Sequence, residues 1–164
     1  MKTLSLAKNK QLQDSDFEIA FKLGLNSLTS LNCSYNNLTG RSFKFLNCDK
    51  LEKVNVNCCS KLKTDGILIL LLKCSNYLRY LDISVTKISD ALFSSIPKHH
   101  LNGLKSLYLD FCSSVTFCCL QERLHEICPY LKFLSIFGIS IDNGIGKFKT
   151  FNSTEAMYVD LLMP

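Results

Sequence analysis

Apolar residues recur along the chain in the pattern L-x-x-L-x-L/I/V, which occurs six times. The first, fourth and sixth positions are apolar or Cys in every copy, and mostly polar side chains separate the last two, as expected of a strand with one buried face. Position 9 is mostly a small side chain that can hydrogen-bond the backbone where the strand turns away. Successive copies lie 23 to 27 residues apart, and their first residues are Met1, Leu28, Leu51, Leu78, Leu104 and Leu131.

Residues with helical spacing follow the strand pattern. In LRYLDISVTKISDALFSSI, which runs from Leu78 to Ile96, Leu81 and Ile83 belong to the strand, whereas Leu92 and Ile96 lie four residues apart. One strand, one turn and one helix cannot bury their own apolar sides, so such units stack and share a core. A period of 20 to 29 residues with this strand signature is typical of a leucine-rich repeat.

The sequence therefore predicts an α/β fold, a right-handed leucine-rich repeat solenoid of about six repeats, with parallel strands on its concave face and helices on its convex face. We expect residues 1–145 to form the repeat domain and residues 146–164 a C-terminal tail or makeshift cap, in which Met157, Val159 and Leu161 alternate as in a short strand. The helix around Ser42 to Leu46 should be the shortest, because the second repeat has only 23 residues. The strands should begin near Lys2, Thr29, Glu52, Arg79, Lys105 and Lys132.

Composition is that of a globular protein, with 47% of the 164 residues hydrophobic and 20% charged. The net charge of +5 is spread along the chain, without the block of like charges that indicates a nucleic-acid partner. The apolar run from Gly66 to Cys74 is too short to cross a bilayer, which takes about 20 residues. Since the N-terminus is also unlike a signal peptide, we expect a cytoplasmic or nuclear protein with neither a nucleic-acid nor a membrane partner.

Nine cysteines could serve as disulfides, as metal ligands or as buried packing. The odd count without a secretory signal argues against a disulfide framework. Adjacent cysteines such as Cys58 and Cys59 point to opposite faces of a strand and chelate a metal poorly. We therefore expect reduced, mostly buried thiols, with no metal and no other cofactor. Six of the nine occupy recurring repeat positions: Cys33, Cys48, Cys59, Cys74, Cys112 and Cys128.

No catalytic grouping is evident in the sequence. The stretch GIGK, from Gly144 to Lys147, lacks the second half of a phosphate-binding loop. A cysteine nucleophile would need a low-pKa environment, and packing already accounts for the cysteines. We expect the chain not to be an enzyme.

The concave face is the predicted working surface, because strand positions 3, 5 and 7 point away from the core. These positions are mostly small and polar in the first three repeats, whereas aromatic residues accumulate in the last three. Aromatic side chains are enriched where partner proteins bind most tightly. The predicted partner-binding residues are Tyr80, Asp82, Tyr108, Asp110, Phe133 and Phe137.

The charges on and beside this patch shape the expected partner. Two aspartates among the aromatic residues favour a protein segment with an apolar anchor and Lys or Arg. Coverage of the patch by the C-terminal tail, or by a further repeat, is the alternative interpretation. Position 2 forms a partly basic edge that is typical of a solvated rim, with Lys2, Glu52, Arg79, Lys105 and Lys132.

Two stretches resemble the cysteine-containing leucine-rich repeats, whose pattern is C-x-x-L-x-x-L-x-L-x-x-C-x-x-I-T-D-x-x-L. They are CSNYLRYLDISVTKISDAL, from Cys74 to Leu92, and CPYLKFLSIFGISIDNGI, from Cys128 to Ile145, and the resemblance covers roughly residues 1–145. This repeat class is best represented among F-box proteins, the substrate receptors of SCF-type ubiquitin ligases. The resemblance implies capture of a protein substrate for ubiquitination, with a Skp adaptor and a cullin as further partners only if an F-box exists upstream.

The chain departs from that family at its start, because Met1 already occupies the first strand position and no F-box-like segment precedes it. Two interpretations follow: a fragment or truncated isoform of a longer receptor, or a repeat-only scaffold or inhibitor inside the cell that is unconnected with ubiquitin. An extracellular receptor is a third alternative, which would pair the cysteines and use the glycosylation sequons at Asn32, Asn37 and Asn152.

Overall fold

The computed structural model describes residues 2–23, 27–47, 49–74, 77–141, 144–145 and 148–150. Short strands alternate with helices, because a turn and a stretch of helical spacing follow the strand pattern. The strands are β1 (Thr3–Ser5), β2 (Ser30–Asn32), β3 (Lys53–Asn55), β4 (Tyr80–Asp82), β5 (Ser106–Tyr108), β6 (Phe133–Ser135), β7 (Ser140–Ile141), β8 (Gly144–Ile145) and β9 (Phe148–Thr150). The helices are α1 (Asp14–Lys22), a 3₁₀ helix (Arg41–Phe45), α2 (Thr64–Lys73), α3 (Ala91–Ser95) and α4 (Phe117–Ile127).

The six repeats contribute one strand each to a parallel sheet, in the order β1-β2-β3-β4-β5-β6. The register pairs equivalent repeat positions, so that Leu81 lies opposite Val54 on one side and Leu107 on the other. Each predicted strand is present and begins one residue after its predicted start. The prediction of a leucine-rich repeat solenoid is therefore confirmed.

Beyond the sixth repeat strand, the chain forms two features that the repeat pattern does not predict. β9 pairs antiparallel with β6, with Phe133 opposite Thr150. β7 and β8 form a separate two-stranded antiparallel sheet. The backbone groups along that edge of β6 are therefore paired with β9. The predicted strand of Met157, Val159 and Leu161 lies outside the described residues.

The core lies between the sheet and the helices and continues from repeat to repeat. Strand positions 4 and 6 are buried in β2 to β6 and their following residues, whereas Leu4 and Leu6 of the first repeat are only partly buried. On the helical side, the ring of Phe21 lies 6.0 Å from that of Phe17 and 6.0 Å from that of Phe43. Each repeat therefore closes the apolar side of its neighbour, as stacking requires.

Position 8 of every repeat has a left-handed backbone conformation, with φ between 55° and 77°. The conformation favours glycine, but only Gly138 is one. Val85 is β-branched, so its left-handed conformation carries steric strain. The residues at this position are Lys8, Tyr35, Cys58, Val85, Phe111 and Gly138.

Position 9 bonds to the backbone, as the sequence predicts. The amide of Asn36 donates to the Leu6 carbonyl of the preceding repeat at 2.7 Å. The Cys59 thiol donates to the Cys33 carbonyl at 3.1 Å, and the Thr86 hydroxyl donates to the carbonyl three residues before it at 2.6 Å. These bonds fix the turn that follows each strand and link neighbouring repeats.

The helix of the second repeat is the five-residue 3₁₀ helix. α3 also has five residues, so the helix of the second repeat is one of the two shortest described helices rather than the single shortest one predicted. Two glycines allow the 3₁₀ helix to begin against the start of α2. A Cβ atom on Gly66 would lie 2.3 Å from the Thr39 carbonyl oxygen and 2.9 Å from the Gly40 Cα atom.

The eight cysteines in the described part of the chain are free thiols. Cys33, Cys59 and Cys112 are buried in the core, which confirms their predicted positions. Burial raises the pKa of the Cys59 thiol to about 11. Cys118 is exposed on α4, and Cys48 lies outside the described residues.

Candidate protein-binding face

The side chains at strand positions 3, 5 and 7 form the face of the sheet that lies away from the helices, here named the open face. Tyr80, Tyr108 and Phe133 lie on this face, on the neighbouring strands β4, β5 and β6, and all three are half-buried. Their ring centroids are 5.1 Å apart from Tyr80 to Tyr108 and 4.9 Å apart from Tyr108 to Phe133. The three contacting rings are named the aromatic ladder.

The strand register explains why these rings meet. Tyr80 and Phe133 both occupy position 3, on either side of Ser106. The small Ser106 side chain leaves space between them, and the ring of Tyr108, two residues further along β5, contacts both. Burial raises the pKa of Tyr80 to about 12, and the neighbouring Asp82 and Tyr108 contribute to the rise. The structure thus brings together three of the four predicted aromatic residues.

The fourth predicted aromatic residue, Phe137, contacts a different ring. It packs edge-on against Phe111, with centroids 5.2 Å apart and an interplanar angle of 72°. Both side chains are about half exposed. Phe111 occupies the left-handed position 8, as does the exposed Val85 of the preceding repeat. These side chains place an apolar edge beyond the C-terminal ends of β4 to β6.

The two predicted aspartates lie on the open face, but their carboxylates bond to the protein itself. Asp82 is only 7% exposed and accepts from the Asn57 amide at 3.0 Å. Burial raises the pKa of Asp82, and its hydrogen bonds oppose that rise in part. Asp110 accepts from the Ser135 hydroxyl at 2.5 Å and from the Phe137 backbone amide at 2.8 Å. These hydrogen bonds hold both carboxylates in place on the open face, and the expected preference for Lys or Arg in the partner stays a prediction.

A row of cations borders the ladder at position 2 of the same three repeats. Arg79, Lys105 and Lys132, here named the cation row, lie on adjacent chain segments. The Lys105 amide bonds the Arg79 carbonyl at 2.9 Å, and the Lys132 amide bonds the Lys105 carbonyl at 2.9 Å. Desolvation lowers the pKa of Lys105, and the positive charges of Lys132 and Arg79 lower it further. The Lys105 ammonium also lies 5.0 Å from the ring centroid of Tyr130, a residue that the repeat pattern does not single out.

An open depression of about 230 Å³ lies on the other side of the ladder, beside Tyr80. It exists because the strand residues of the second and third repeats are mostly small and polar, whereas Tyr80 is large. Its lining residues are Ser30, Leu31, Asn32, Lys53, Val54, Asn55 and Tyr80.

Two further observations concern metal binding and membrane insertion in the described part of the chain. Among them, no three His, Cys, Asp or Glu side chains converge as a metal site requires. No helix in the described ranges has the length and apolar character needed to span a bilayer.

Comparison with known proteins identifies a similar fold. No protein-family model matches the chain, and no curated protein matches its sequence. The fold is similar to that of a chain in the crystal structure of the Rad7 and Elc1 complex in yeast, with a TM-score of 0.70 over 88% of this protein. The sequences are 21% identical, and this protein spans 39% of the length of the matched chain. The likeness supports the leucine-rich repeat architecture.

Proposed function

We propose that this chain is a protein-recognition module that binds a partner protein on its open face. The aromatic ladder carries the proposal, because three rings in mutual contact remain partly exposed on neighbouring strands. A contiguous exposed aromatic surface is typical of a site that a partner covers. The hydrogen-bonded sheet already holds the strands that carry the rings, so binding costs little ordering entropy.

We further propose that the partner is a substrate of an SCF-type ubiquitin ligase, in the cytoplasm or nucleus, and that the chain itself is not an enzyme. The resemblance of its repeats to those of F-box proteins supports this assignment. The fold is also similar to that of a chain from a protein–protein complex, that of Rad7 and Elc1. An F-box elsewhere in a full-length product would bind the Skp adaptor and, through it, the cullin, while the open face holds the substrate.

Affinity purification of the full-length gene product from cells tests the proposal, with Tyr108→Ala and Ser30→Ala as matched variants. Tyr108 is the central ring of the ladder, whereas Ser30 lies on the same face outside the ladder. The wild type and Ser30→Ala should recover a Skp adaptor, a cullin and a substrate. Tyr108→Ala should keep the adaptor and cullin but lose the substrate, since truncating a hot spot costs about 2 kcal/mol or more.

Other results of the affinity purification would change the proposed function. A substrate-like partner that depends on Tyr108 but comes without Skp adaptor or cullin would identify an intracellular scaffold or inhibitor unconnected with ubiquitin. Full recovery of every partner by Tyr108→Ala would show that the open face is not the binding surface.

A further inference from the structure

The depression beside Tyr80 is lined by two asparagine side chains that occupy the same position of neighbouring repeats. Asn32 lies on β2 and Asn55 on β3, and the strand register places them directly opposite each other. The depression has a volume of about 230 Å³, several times the roughly 30 Å³ that a water molecule occupies in the liquid, so it can hold a side chain. Its wall includes the half-buried ring of Tyr80, which also belongs to the aromatic ladder. A segment that covers the ladder can therefore also reach the depression.

Backbone hydrogen bonds fix the orientation of both side-chain amides. The Oδ1 atom of Asn32 accepts from the backbone amide of Ser34 at 3.0 Å. The Oδ1 atom of Asn55 accepts from the backbone amide of Asn57, also at 3.0 Å. Because a backbone N–H group can only donate, these bonds identify the oxygen of each side-chain amide, and the Nδ2 atom is the remaining donor. Neither Nδ2 atom donates a hydrogen bond within the described part of the chain, so two oriented donors line the depression without an acceptor from these residues.

The spacing of the two donors suits a single oxygen atom between them. Equivalent side chains on neighbouring strands lie about 4.8 Å apart, and the same backbone bond orients both, so their Nδ2 atoms share that spacing. An oxygen about 2.9 Å from both Nδ2 atoms would accept from them at an angle of about 110°, close to the angle of about 120° between the lone pairs of a carbonyl oxygen. One carbonyl group can therefore accept a hydrogen bond from both asparagines at once.

The charges near the depression favour a neutral ligand group over an ionised one. Lys53 belongs to the lining, whereas Asp82 is the register partner of Asn55. An ionised ligand is attracted by one of these charges and repelled by the other, so it gains little from the pair. An apolar side chain would cover both amide donors without supplying an acceptor, which costs free energy. A neutral carbonyl group satisfies the donors and meets no like charge.

We propose that the depression holds the side-chain carboxamide of an Asn or Gln residue in the partner segment, next to an apolar residue that packs on the aromatic ladder. This inference rests on the proposed function and adds the chemistry of the partner. The carboxamide oxygen accepts from Asn32 and Asn55, and its NH₂ group can donate to the hydroxyl of Ser30, a side chain of the same lining. The methylene groups of the bound side chain pack against the ring of Tyr80.

Three pools of short synthetic peptides test the inference on the immobilised chain. All pools carry Leu and Phe at the same fixed positions, and they differ only at two further positions, which hold Gln in the first pool, Glu in the second and Met in the third. The three side chains have similar lengths, so the comparison isolates the terminal group. The Gln pool should be retained at least about five-fold better than either other pool. Added salt should not weaken its retention, because a neutral side chain carries no charge that ions screen.

An isosteric variant tests the donors themselves. Asn32→Asp replaces the Nδ2 donor with an oxygen but keeps an acceptor for the backbone bond, which Asp82 accepts in the fourth repeat at 3.1 Å. The variant should therefore stay folded, as circular dichroism checks, and should retain the Gln pool at least about five-fold less well. The matched control is Asn102→Asp, the same change at an exposed residue before β5, which should change retention by less than about two-fold. Equal losses from both variants would overturn the inference.

Further outcomes separate the inference from the proposed function. If the three pools are retained equally and Tyr108→Ala abolishes retention of all of them, the open face binds proteins, but not through a carboxamide in the depression. Better retention of the Glu or the Met pool would replace the carboxamide with an acidic or an apolar group and overturn the inference. If Tyr108→Ala changes retention of no pool, the open face is not the binding surface and both proposals fail. Retention of no pool would overturn the inference, and the affinity purification would still decide the proposed function.

Discussion

Asn36→Ala should lower the free energy of unfolding by about 2 to 3 kcal/mol, from the loss of bonds that join the first two repeats. Asn36 is 1% exposed. Its side-chain amide donates to the Leu6 carbonyl at 2.7 Å, and its side-chain carbonyl oxygen accepts from the backbone amide of Asn9 at 3.1 Å. Alanine replaces neither bond, and because both contacts are only part-buried, each of the two groups left unpaired costs near the low end of about 1 to 3 kcal/mol. The carbonyls of Cys33 and Ser34, which also accept from Asn36, keep other donors and add little.

The neighbouring Asn37 provides a matched control. Its amide donates to the Lys10 carbonyl at 2.9 Å in an exposed contact, so Asn37→Ala should cost less than about 1 kcal/mol. Urea denaturation followed by circular dichroism measures both losses. Hydrogen exchange should also quicken at the amides of Leu6 and Lys8, which bond the second repeat, and not in β5, because contacts in a solenoid are local. Equal losses of stability from the two variants would refute the role assigned to position 9.

Three further predictions concern the open face, the turns and the thiols. Asp82→Asn should raise the melting temperature at pH 7, since burial raises the pKa of Asp82 and Asn55 makes the same backbone bond in the preceding repeat. The raised pKa of Asp82 costs no stability at low pH, where the carboxyl is protonated in both states, and the cost appears as the pH rises through the folded-state pKa. The melting temperatures of the wild type and of Asp82→Asn should therefore converge below about pH 3. Equal melting temperatures at pH 7 would contradict the prediction. Gly138→Ala should cost about 1 to 2 kcal/mol in urea denaturation, because φ is 77° and the added Cβ would lie 2.6 Å from the Phe111 ring; an unchanged midpoint would exclude strain there. A thiol reagent at neutral pH should label Cys118 in the native protein, and mass spectrometry identifies the labelled residues. Labelling of the buried cysteines before unfolding would contradict the described core. The cysteines expected to react only after unfolding are Cys33, Cys59, Cys74, Cys112 and Cys128.

The strands could be predicted because the shared core imposes the same requirement on every repeat. Leu81 and Leu107 face that core at equivalent positions, so both must be apolar. The left-handed position 8 could not be predicted, since Lys8, Val85 and Gly138 share no side-chain property. Its conformation is held by backbone bonds between repeats, such as that from the Lys8 amide to the Ser34 carbonyl at 2.9 Å.

The candidate site was predictable in composition but not in geometry. The sequence shows that aromatic residues accumulate in the last three repeats, but the contact of Tyr108 with two rings depends on the strand register and on the small Ser106 between them. The structural role of Asp82 did have a signal, because Asn32 and Asn55 occupy the same repeat position. Amide and carboxylate side chains alike can accept the backbone bond two residues on.

Site-specific photo-crosslinking in cells tests the central claim, partner binding on the open face, most directly. The photoreactive residue benzoyl-phenylalanine replaces either Phe133 in the aromatic ladder or Phe117 on α4, on the helical side of the solenoid. Both replacements exchange one aromatic ring for a larger one, so differences report location rather than chemistry. We predict that a protein partner is captured from the Phe133 position and not from the Phe117 position. Capture of the same partner from Phe117 alone would contradict the account.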